Sequence, residues 1–370
     1  MFIVMGNVAF YAGFTRDAYS AAYKWVGNYP GGLGVATLLG AVAFGACSGS
    51  SIAATAALGK SALPEMLRFG YNHRLAAGCV AMGGTLDALI PPSILLVIYG
   101  VVTEESIGKL LMAGLVPGLL SMAVFALLVV VWALFRPADA PRGERFPLRD
   151  KLIGLKDVSG ILILFVCVAG GLLTGVFTPT EAGAVGAFLI FVMALAMGRL
   201  FNRTVLREIV TDSLRVTSSI FLIVLGAYIF IQFLALTRLP VVFATWVIGL
   251  PVHPMVILMG VILLYLVMGC FLDALGLILL TVPFIGPALF GLGFDAIWFG
   301  VLVVKLVEIG LITPPVGIQA YVLKGVAPSE LTLQDIFLGF VPFFLVDLFV
   351  VIGLIVAFPQ ISLFLPSLMK

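Results

Sequence analysis

The sequence predicts an all-α polytopic membrane protein of two inverted-topology repeats, each with a re-entrant helical hairpin and a broken helix. Three observations lead there. Of 370 residues, 62% are hydrophobic and only 10% charged; soluble domains carry about 25% charged residues, so this chain cannot cover a water-facing surface. Long apolar runs (Gly160 to Phe177, Ala182 to Met197, Ile220 to Leu236, Phe340 to Phe358) approach the roughly 20 residues that cross hydrocarbon as helix. They lack the strand alternation of an outer-membrane barrel. Finally, a shift of 223 positions carries Cys47, Ser50, Pro64, Gly70 and Pro91-Pro92 onto Cys270, Asp273, Pro287, Gly293 and Pro314-Pro315 without a gap. Duplicated apolar segments interrupted by Pro and Gly at matching points mark the midplane site of a secondary transporter.

The first repeat is expected over residues 1–135. Its hairpin, about 31–70, turns at Cys47-Ser48-Gly49-Ser50-Ser51, and its broken helix, about 74–101, is interrupted at Leu89-Ile90-Pro91-Pro92-Ser93. A stretch at 136–157 follows, with Arg136, Arg142, Arg145, Arg149, Lys151, Lys156 and prolines at 137, 141 and 147. It reads as a cytoplasmic linker by the positive-inside rule. Arg199, Arg203, Arg207 and Arg215, and likewise Lys60, Arg68 and Arg74, belong on that side, while Val101 to Ser106 and Leu289 to Ala296 are poor in Lys and Arg and belong opposite. The second repeat, 158–370, has its hairpin at about 254–293, turning at Cys270 to Asp273, and its broken helix at about 296–324, interrupted at Ile312-Thr313-Pro314-Pro315-Val316-Gly317. To satisfy the charge pattern, the two hairpins must enter from opposite faces.

Two successive prolines leave carbonyls without intrahelical donors, and such carbonyls are tolerable at the midplane only beside a cavity or a cation. Ser48, Gly49, Ser50 and Ser51 with the carbonyls of Asp87 to Pro91 make one oxygen-rich cluster. Asp273 and Thr313 with the carbonyls around Gly310 and Ile312 make another. Oxygen-only cages of this kind suit Na⁺, and half-helix N-termini at the same breaks can face an anion. Small residues also simply permit close helix packing, but two clusters, each with a Pro-Pro break in one register, outweigh that reading. Lys305 and Glu308, three apart on one helix face, are expected to neutralise each other, unless Glu308 supports the second cation cluster. Glu181, after Pro179, suits a helix start, and Asp347 has no evident partner in its span. Cys47, Cys79, Cys167 and Cys270 show no CxxC spacing and read as reduced small residues. Two histidines are too few for a histidine metal site, and a net charge of +2 points to no nucleic-acid partner. An intramembrane serine protease would need a buried base beside Ser48 to Ser51; His73 and His253 sit next to expected membrane faces instead.

The runs Pro30-Gly31-Gly32-Leu33, Gly49-Ser50-Ser51, Gly70-Tyr71, Leu89-Ile90-Pro91-Pro92-Ser93 with Tyr99-Gly100, Phe177-Thr178-Pro179-Thr180-Glu181-Ala182 and Thr313-Pro314-Pro315-Val316-Gly317, in this order, resemble the large membrane (permease) subunit of the tripartite ATP-independent periplasmic (TRAP) transporters over essentially the whole chain. The resemblance implies a multi-pass protein of the bacterial inner membrane, not an enzyme, importing organic acid anions of dicarboxylate or sugar-acid type with Na⁺ as coupling ion. It implies an elevator-type movement like that of the ion transporter superfamily, a small membrane partner subunit and an extracytoplasmic substrate-binding protein. Carried over, a first Na⁺ site falls at Ser48, Gly49, Ser50, Gly84, Ala88 and Pro91, and a second at Gly269, Asp273, Gly310 and Thr313. Substrate contacts fall at Ser51, Ser93, Thr313 and Gly317. Asp87 departs from the glycine usual in the family and would alter cation coordination or substrate charge preference. The second repeat begins near Leu155, and its counterpart in the first would precede Met1, so the family's N-terminal helices are expected upstream. A standalone Na⁺/carboxylate symporter of a related inverted-repeat family would share the hairpins and breaks, but not this series of runs.

Overall fold

A computed structural model describes residues 1–200 and 202–369, and every regular element in them is helical. The first part comprises α1 (Phe2–Tyr11), α2 (Phe14–Val26), α3 (Gly32–Ser48), α4 (Ser51–Ser61), α5 (Leu63–Arg68), α6 (His73–Leu86), α7 (Ile94–Thr103) and α8 (Ile107–Phe135). Then follow α9 (Leu148–Leu173), α10 (Pro179–Ala196), α11 (Arg203–Thr237), α12 (Leu239–Ile248), α13 (Pro254–Gly269), α14 (Ala274–Gly291), α15 (Ala296–Gly310) and α16 (Ile318–Val326). The chain ends with α17 (Leu333–Val346), a π-helical segment Asp347–Ile352, α18 (Gly353–Ala357) and α19 (Gln360–Leu368). Six of these stretches are long and apolar enough to cross a membrane: α8, α9, α10, α11, α14 and the continuous run Leu333–Ala357. The four apolar runs noted in the sequence fall within or overlap α9, α10, α11 and Leu333–Ala357.

Local chemistry sets the boundaries. Gly31, Gly49, Gly70, Gly293 and Gly317 take positive φ where helices stop or start, a region that costs residues with a Cβ. Glu181 and Thr178 form a reciprocal capping box at the start of α10, the helix-start role expected of Glu181. Thr332 and Asp335 do the same for α17.

The basic stretch is shorter as a linker than 136–157. Helix α9 already begins at Leu148, after Pro147. Proline ends the irregular stretch and suits a helix entry, and the Lys and Arg beyond it are good helix formers that extend the span into the charged interface. The remaining 136–147 is pinned to the first half. Asp139 accepts from Trp132 Nε1 (3.0 Å) and Asn72 Nδ2 (3.2 Å), and the Gly143 amide donates to the Gly27 carbonyl (2.8 Å).

Two buried clusters organise the interior. One gathers α1, α7, α8, α10, α14 and α15 around Leu302, Val303 and Leu306; the other gathers α3, α6, α8 and α17 around Leu38, Val80 and Phe343. Close approach in the second depends on glycine, since a Cβ on Gly78 would stand 2.4 Å from the Gly339 carbonyl oxygen. Small residues allow such backbone contact where lipid provides no hydrophobic drive. All four cysteines are free thiols, Cys47 and Cys79 fully buried.

Candidate functional site at the two broken helices

The first tip, Ser48–Ser51, is the turn between α3 and α4, with Gly49 and Ser50 between the two helices. Gly49 adopts φ 65° and Ser50 caps α4, its hydroxyl accepting from the Ala53 amide. This turn lies directly on the interruption between α6 and α7. A Cβ on Gly49 would be 2.4 Å from the Pro92 carbonyl oxygen, and one on Gly84 would be 2.0 Å from Thr55 Oγ1 and 3.1 Å from the Ser51 carbonyl oxygen. Gly49 is therefore brought against Pro92, and Gly84 against Ser51 and Thr55. Ser93 is fully buried and caps α7 by accepting from the Leu96 amide (3.3 Å).

Asp87 sits at the centre of this arrangement. Its side chain is 0% exposed, and it accepts from Ser48 Oγ at 3.3 Å and from the Gly49 amide at 3.2 Å. The sequence placed Asp87 beside the break; the structure makes it the group that ties the tip to the broken helix. Glu308, 1% exposed, lies near Ser51 of the same tip and accepts from Gln319 Nε2 (3.2 Å).

One expectation for the intramembrane charges is overturned, and the open question of Asp347 is answered. Lys305 does not neutralise Glu308, and Asp347 does not lack a partner: Lys305 Nζ is 3.0 Å from Asp347 Oδ2, both side chains 0% exposed. Residues three apart on a helix share a face only broadly, and here the helix turns Lys305 towards the π-helical segment and the Phe125 ring, whose centroid is 5.3 Å away. Glu308 faces the first tip instead. A countercharge offsets the cost of an acid within a span, and Lys305, the one buried lysine among the described residues, supplies it to Asp347. Counting charges within the spans offers Lys305 three acids, Asp87, Glu308 and Asp347, and the i,i+3 spacing favoured the wrong one.

The second tip joins α13 and α14. Gly269 and Gly310 stand back to back, a Cβ on Gly310 falling 2.6 Å from Gly269 Cα. Asp273 is exposed and caps α14, accepting from the Leu275 (3.1 Å) and Gly276 (3.2 Å) amides. Thr313 donates to the Ile309 carbonyl (2.7 Å). Among the described residues no hydrogen bond joins Asp273 to Gly310 or Thr313, so this tip is approached by its glycine pair and not by its carboxylate. Gly317 starts α16 at φ 58°, with Phe337 and the Ile312 carbonyl against its Cα. Among the described residues no three His, Cys, Asp or Glu side chains form a metal-binding group, so the polar chemistry at both breaks is that of hydroxyls, carbonyls and single carboxylates.

Sequence comparison places this architecture among known proteins. The family described as the DctM component of the tripartite ATP-independent periplasmic transporters matches residues 1–361. The C4-dicarboxylate TRAP transporter large permease protein DctM of Pseudomonas aeruginosa is 35% identical over 368 residues, covering 99% of this chain and 84% of the relative. The sialic acid TRAP transporter large permease protein SiaM of Vibrio cholerae is 32% identical, covering 99% and 85%. The 2,3-diketo-L-gulonate TRAP transporter large permease protein YiaN of Escherichia coli is 33% identical, covering 93% and 80%. With a match along nearly its whole length and helices able to cross the bilayer, this chain belongs to the DctM component family of the TRAP transporters, integral inner-membrane permease subunits and not enzymes.

Proposed function

We propose that this chain is the permease subunit of a Na⁺-coupled importer of organic acid anions that works by elevator alternating access. Its two parts, 1–135 and 158–370, act as inverted-topology repeats whose tips and broken helices form the moving unit. The observation that carries the reading is the seating of the Ser48–Ser51 tip on the Asp87–Ser93 interruption, where two buried carboxylates, Asp87 and Glu308, have no Lys or Arg ion pair among the described residues. Among the described residues the one buried lysine is committed to Asp347. Unpaired charge in a low-dielectric interior is costly, and a bound cation offsets it. Ser48, Gly49, Ser50, Gly84, Ala88 and Pro91 supply the oxygens of a first Na⁺ site; Gly269, Asp273, Gly310 and Thr313 supply those of a second.

The shift that aligns the two halves carries Ser50 onto Asp273 and Asp87 onto Gly310. At these matching positions each break has one carboxylate, contributed by the broken helix in the first and by the tip in the second. Half-helices α7 and α16 begin at Ser93 and Gly317, and their N-terminal amides, with Ser51 and Thr313, are available to a carboxylate substrate. The relatives named above carry C4-dicarboxylate, sialic acid or 2,3-diketo-L-gulonate in their names, and all are acids ionised at neutral pH. Family membership implies a small membrane subunit and a periplasmic binding protein as partners, the latter presenting the anion at the outer face.

Uptake into vesicles holding the permease with its small subunit, supplied with the loaded binding protein, should require an inward Na⁺ gradient. Asp273→Asn should raise the Na⁺ concentration for half-maximal uptake about tenfold by removing a charged ligand. Folding should be retained, because asparagine caps a helix as well as aspartate does. Equal uptake without Na⁺ would sink the coupling, and an unchanged Na⁺ dependence of Asp273→Asn would remove that residue from the site.

A further inference from the structure

A polar cavity lies away from both breaks. It is a hollow of about 640 Å³ between α2 and the corner where α4 meets α5, within the range of small-molecule sites. Its inner end is at Phe10 and Ala57. Phe10 makes an edge contact with Phe44 at 6.4 Å, one turn of α3 before the Ser48–Ser51 tip, so the hollow follows α4 away from the first break. Its outer end carries Arg16 and Lys60, both exposed.

The side chains here are not occupied with one another. Neither Arg16 nor Lys60 forms an ion pair among the described residues, whereas the neighbouring Asp17 is held by Arg199 at 2.5 Å. Thr15 Oγ1, in a residue only 4% exposed, has no hydrogen-bond partner. The Tyr19 hydroxyl, in a residue 3% exposed, approaches Glu65 without closing a hydrogen bond on it. Buried hydroxyls without partners are uncommon in a finished interior and mark a place where something else supplies the bond. The lining holds two cations, one carboxylate and several hydroxyls.

We propose that this hollow is an anion-receiving vestibule on the cytoplasmic side of the first tip, shaped for a hydroxylated monocarboxylate. The carboxylate lies between Arg16 and Lys60, and the substrate's hydroxyls bond with Thr15, Tyr19 and Glu65. One surplus positive charge matches one carboxylate, and Glu65 opposes a second while accepting from a hydroxyl. The positive-inside rule assigns Lys60, with Arg68 and Arg74, to the cytoplasmic side, and Arg16 lines the same hollow as Lys60. The assignment rests on the anion-import reading, because it places the vestibule on the exit route.

A binding measurement independent of transport tests it. In a background with Cys167→Ser and Cys270→Ser, leaving only the fully buried Cys47 and Cys79, Ser20→Cys places a reporter thiol in the wall. In vesicles of the permease with its small subunit, gluconate should slow maleimide labelling of that thiol, succinate and acetate should do so far less, and sodium chloride not at all. Arg16→Gln with Lys60→Gln should raise the gluconate concentration for half-protection at least about tenfold, and Arg16→Lys with Lys60→Arg should largely retain protection. Protection by chloride equal to that by gluconate, or full protection in the neutral double variant, would overturn the proposal. So would protection by succinate stronger than by gluconate. Na⁺-driven uptake in the same vesicles separates the two readings: uptake without protection rejects the vestibule alone, and protection without Na⁺-driven uptake rejects the coupled-import reading alone.

Discussion

From Asp87 to Ser93 every residue is buried, and the tip above it touches down through Gly49 on Pro92 and through Ser48 and Gly49 on Asp87. Around the second interruption Pro314, Pro315 and Val316 are exposed, Thr313 is half-buried, and Asp273 spends its carboxylate on its own helix. The same Pro-Pro device is therefore closed at one break and open at the other. What differs is where the fixed charge sits. In the first break the acid is on the broken helix, beneath the tip, and draws the tip onto it. In the second the acid is on the tip itself, at the helix N-terminus, and the broken helix is steadied through its stem, where Lys305 of α15 pairs with Asp347.

If the stem is what steadies the second break, Lys305→Met should have the largest effect of any single change here. It would leave Asp347 buried without a partner, a loss of about 3–5 kcal/mol, seen as a lowered unfolding temperature of the purified protein. Lys305→Met with Asp347→Leu removes both charges and should recover most of that stability, because an apolar pair of similar volume is often neutral or better. A single variant no less stable than the double one would show that the pair does not hold the stem.

Next in size is the glycine that closes each break, on the tip in the first and in the broken helix in the second. Gly49 and Gly317 both have positive φ, which costs any other L-residue about 1–2 kcal/mol. Their surroundings differ. A Cβ at Gly49 meets the Pro92 carbonyl oxygen at 2.4 Å, which is backbone, whereas at Gly317 the nearest atom is Phe337 Cε1 at 2.7 Å, on a ring that can rotate aside. Gly49→Ala should therefore lower uptake and thermal stability more than Gly317→Ala, and equal losses would erase the contrast between a closed and an open break.

Much of this contrast was legible in the sequence, and the reason it was not all legible is instructive. Helix breaks at Pro91-Pro92 and Pro314-Pro315, tips at Ser48–Ser51 and Cys270–Asp273 and the span-forming runs all follow from local chemistry: proline removes a donor, glycine allows positive φ, apolar length fits the bilayer. The Lys305–Asp347 pair and the seat of Asp87 on Ser48 and Gly49 join residues 42 and 39 positions apart, and no local periodicity reports such contacts. Closure of the first interruption against exposure of the second was equally out of reach, since both read Pro-Pro. The linker boundary failed for another reason: Arg149, Lys151 and Lys156 look like loop charges, yet they lie on the first turns of α9.

A smaller effect is expected from moving the charge. Asp87→Gly gives the first broken helix the residue found at the matching position of the second, Gly310, and should raise the Na⁺ concentration for half-maximal uptake about tenfold. Adding Ser50→Asp places the acid on the tip, as at Asp273, and should bring the value back to within a few-fold of the parent. Failure of the double variant to recover Na⁺ dependence, with folding intact, would mean that the two breaks are not interchangeable frames around one charge.

The smallest functional effect, and the sharpest test of how the breaks relate, comes from the far ends of the two hairpins. Arg68 closes the stretch after the first tip and Gly291 ends α14 after the second; both are exposed. A side chain at Gly291 would meet only the end of Ile248, Cδ1 at 2.5 Å, a flexible group that can give way, so Arg68→Cys and Gly291→Cys, each alone, should leave uptake near that of the parent. If the hairpins enter from opposite faces, an impermeant maleimide should reach Arg68→Cys only from the cytoplasmic side and Gly291→Cys only from the outside. Such opposed labelling would make the open second break and the closed first break two ends of one alternating device, each exposed to its own face in turn. Labelling of both from the same face would leave two unlike breaks in a parallel arrangement, and the elevator reading would lose the symmetry on which its motion depends.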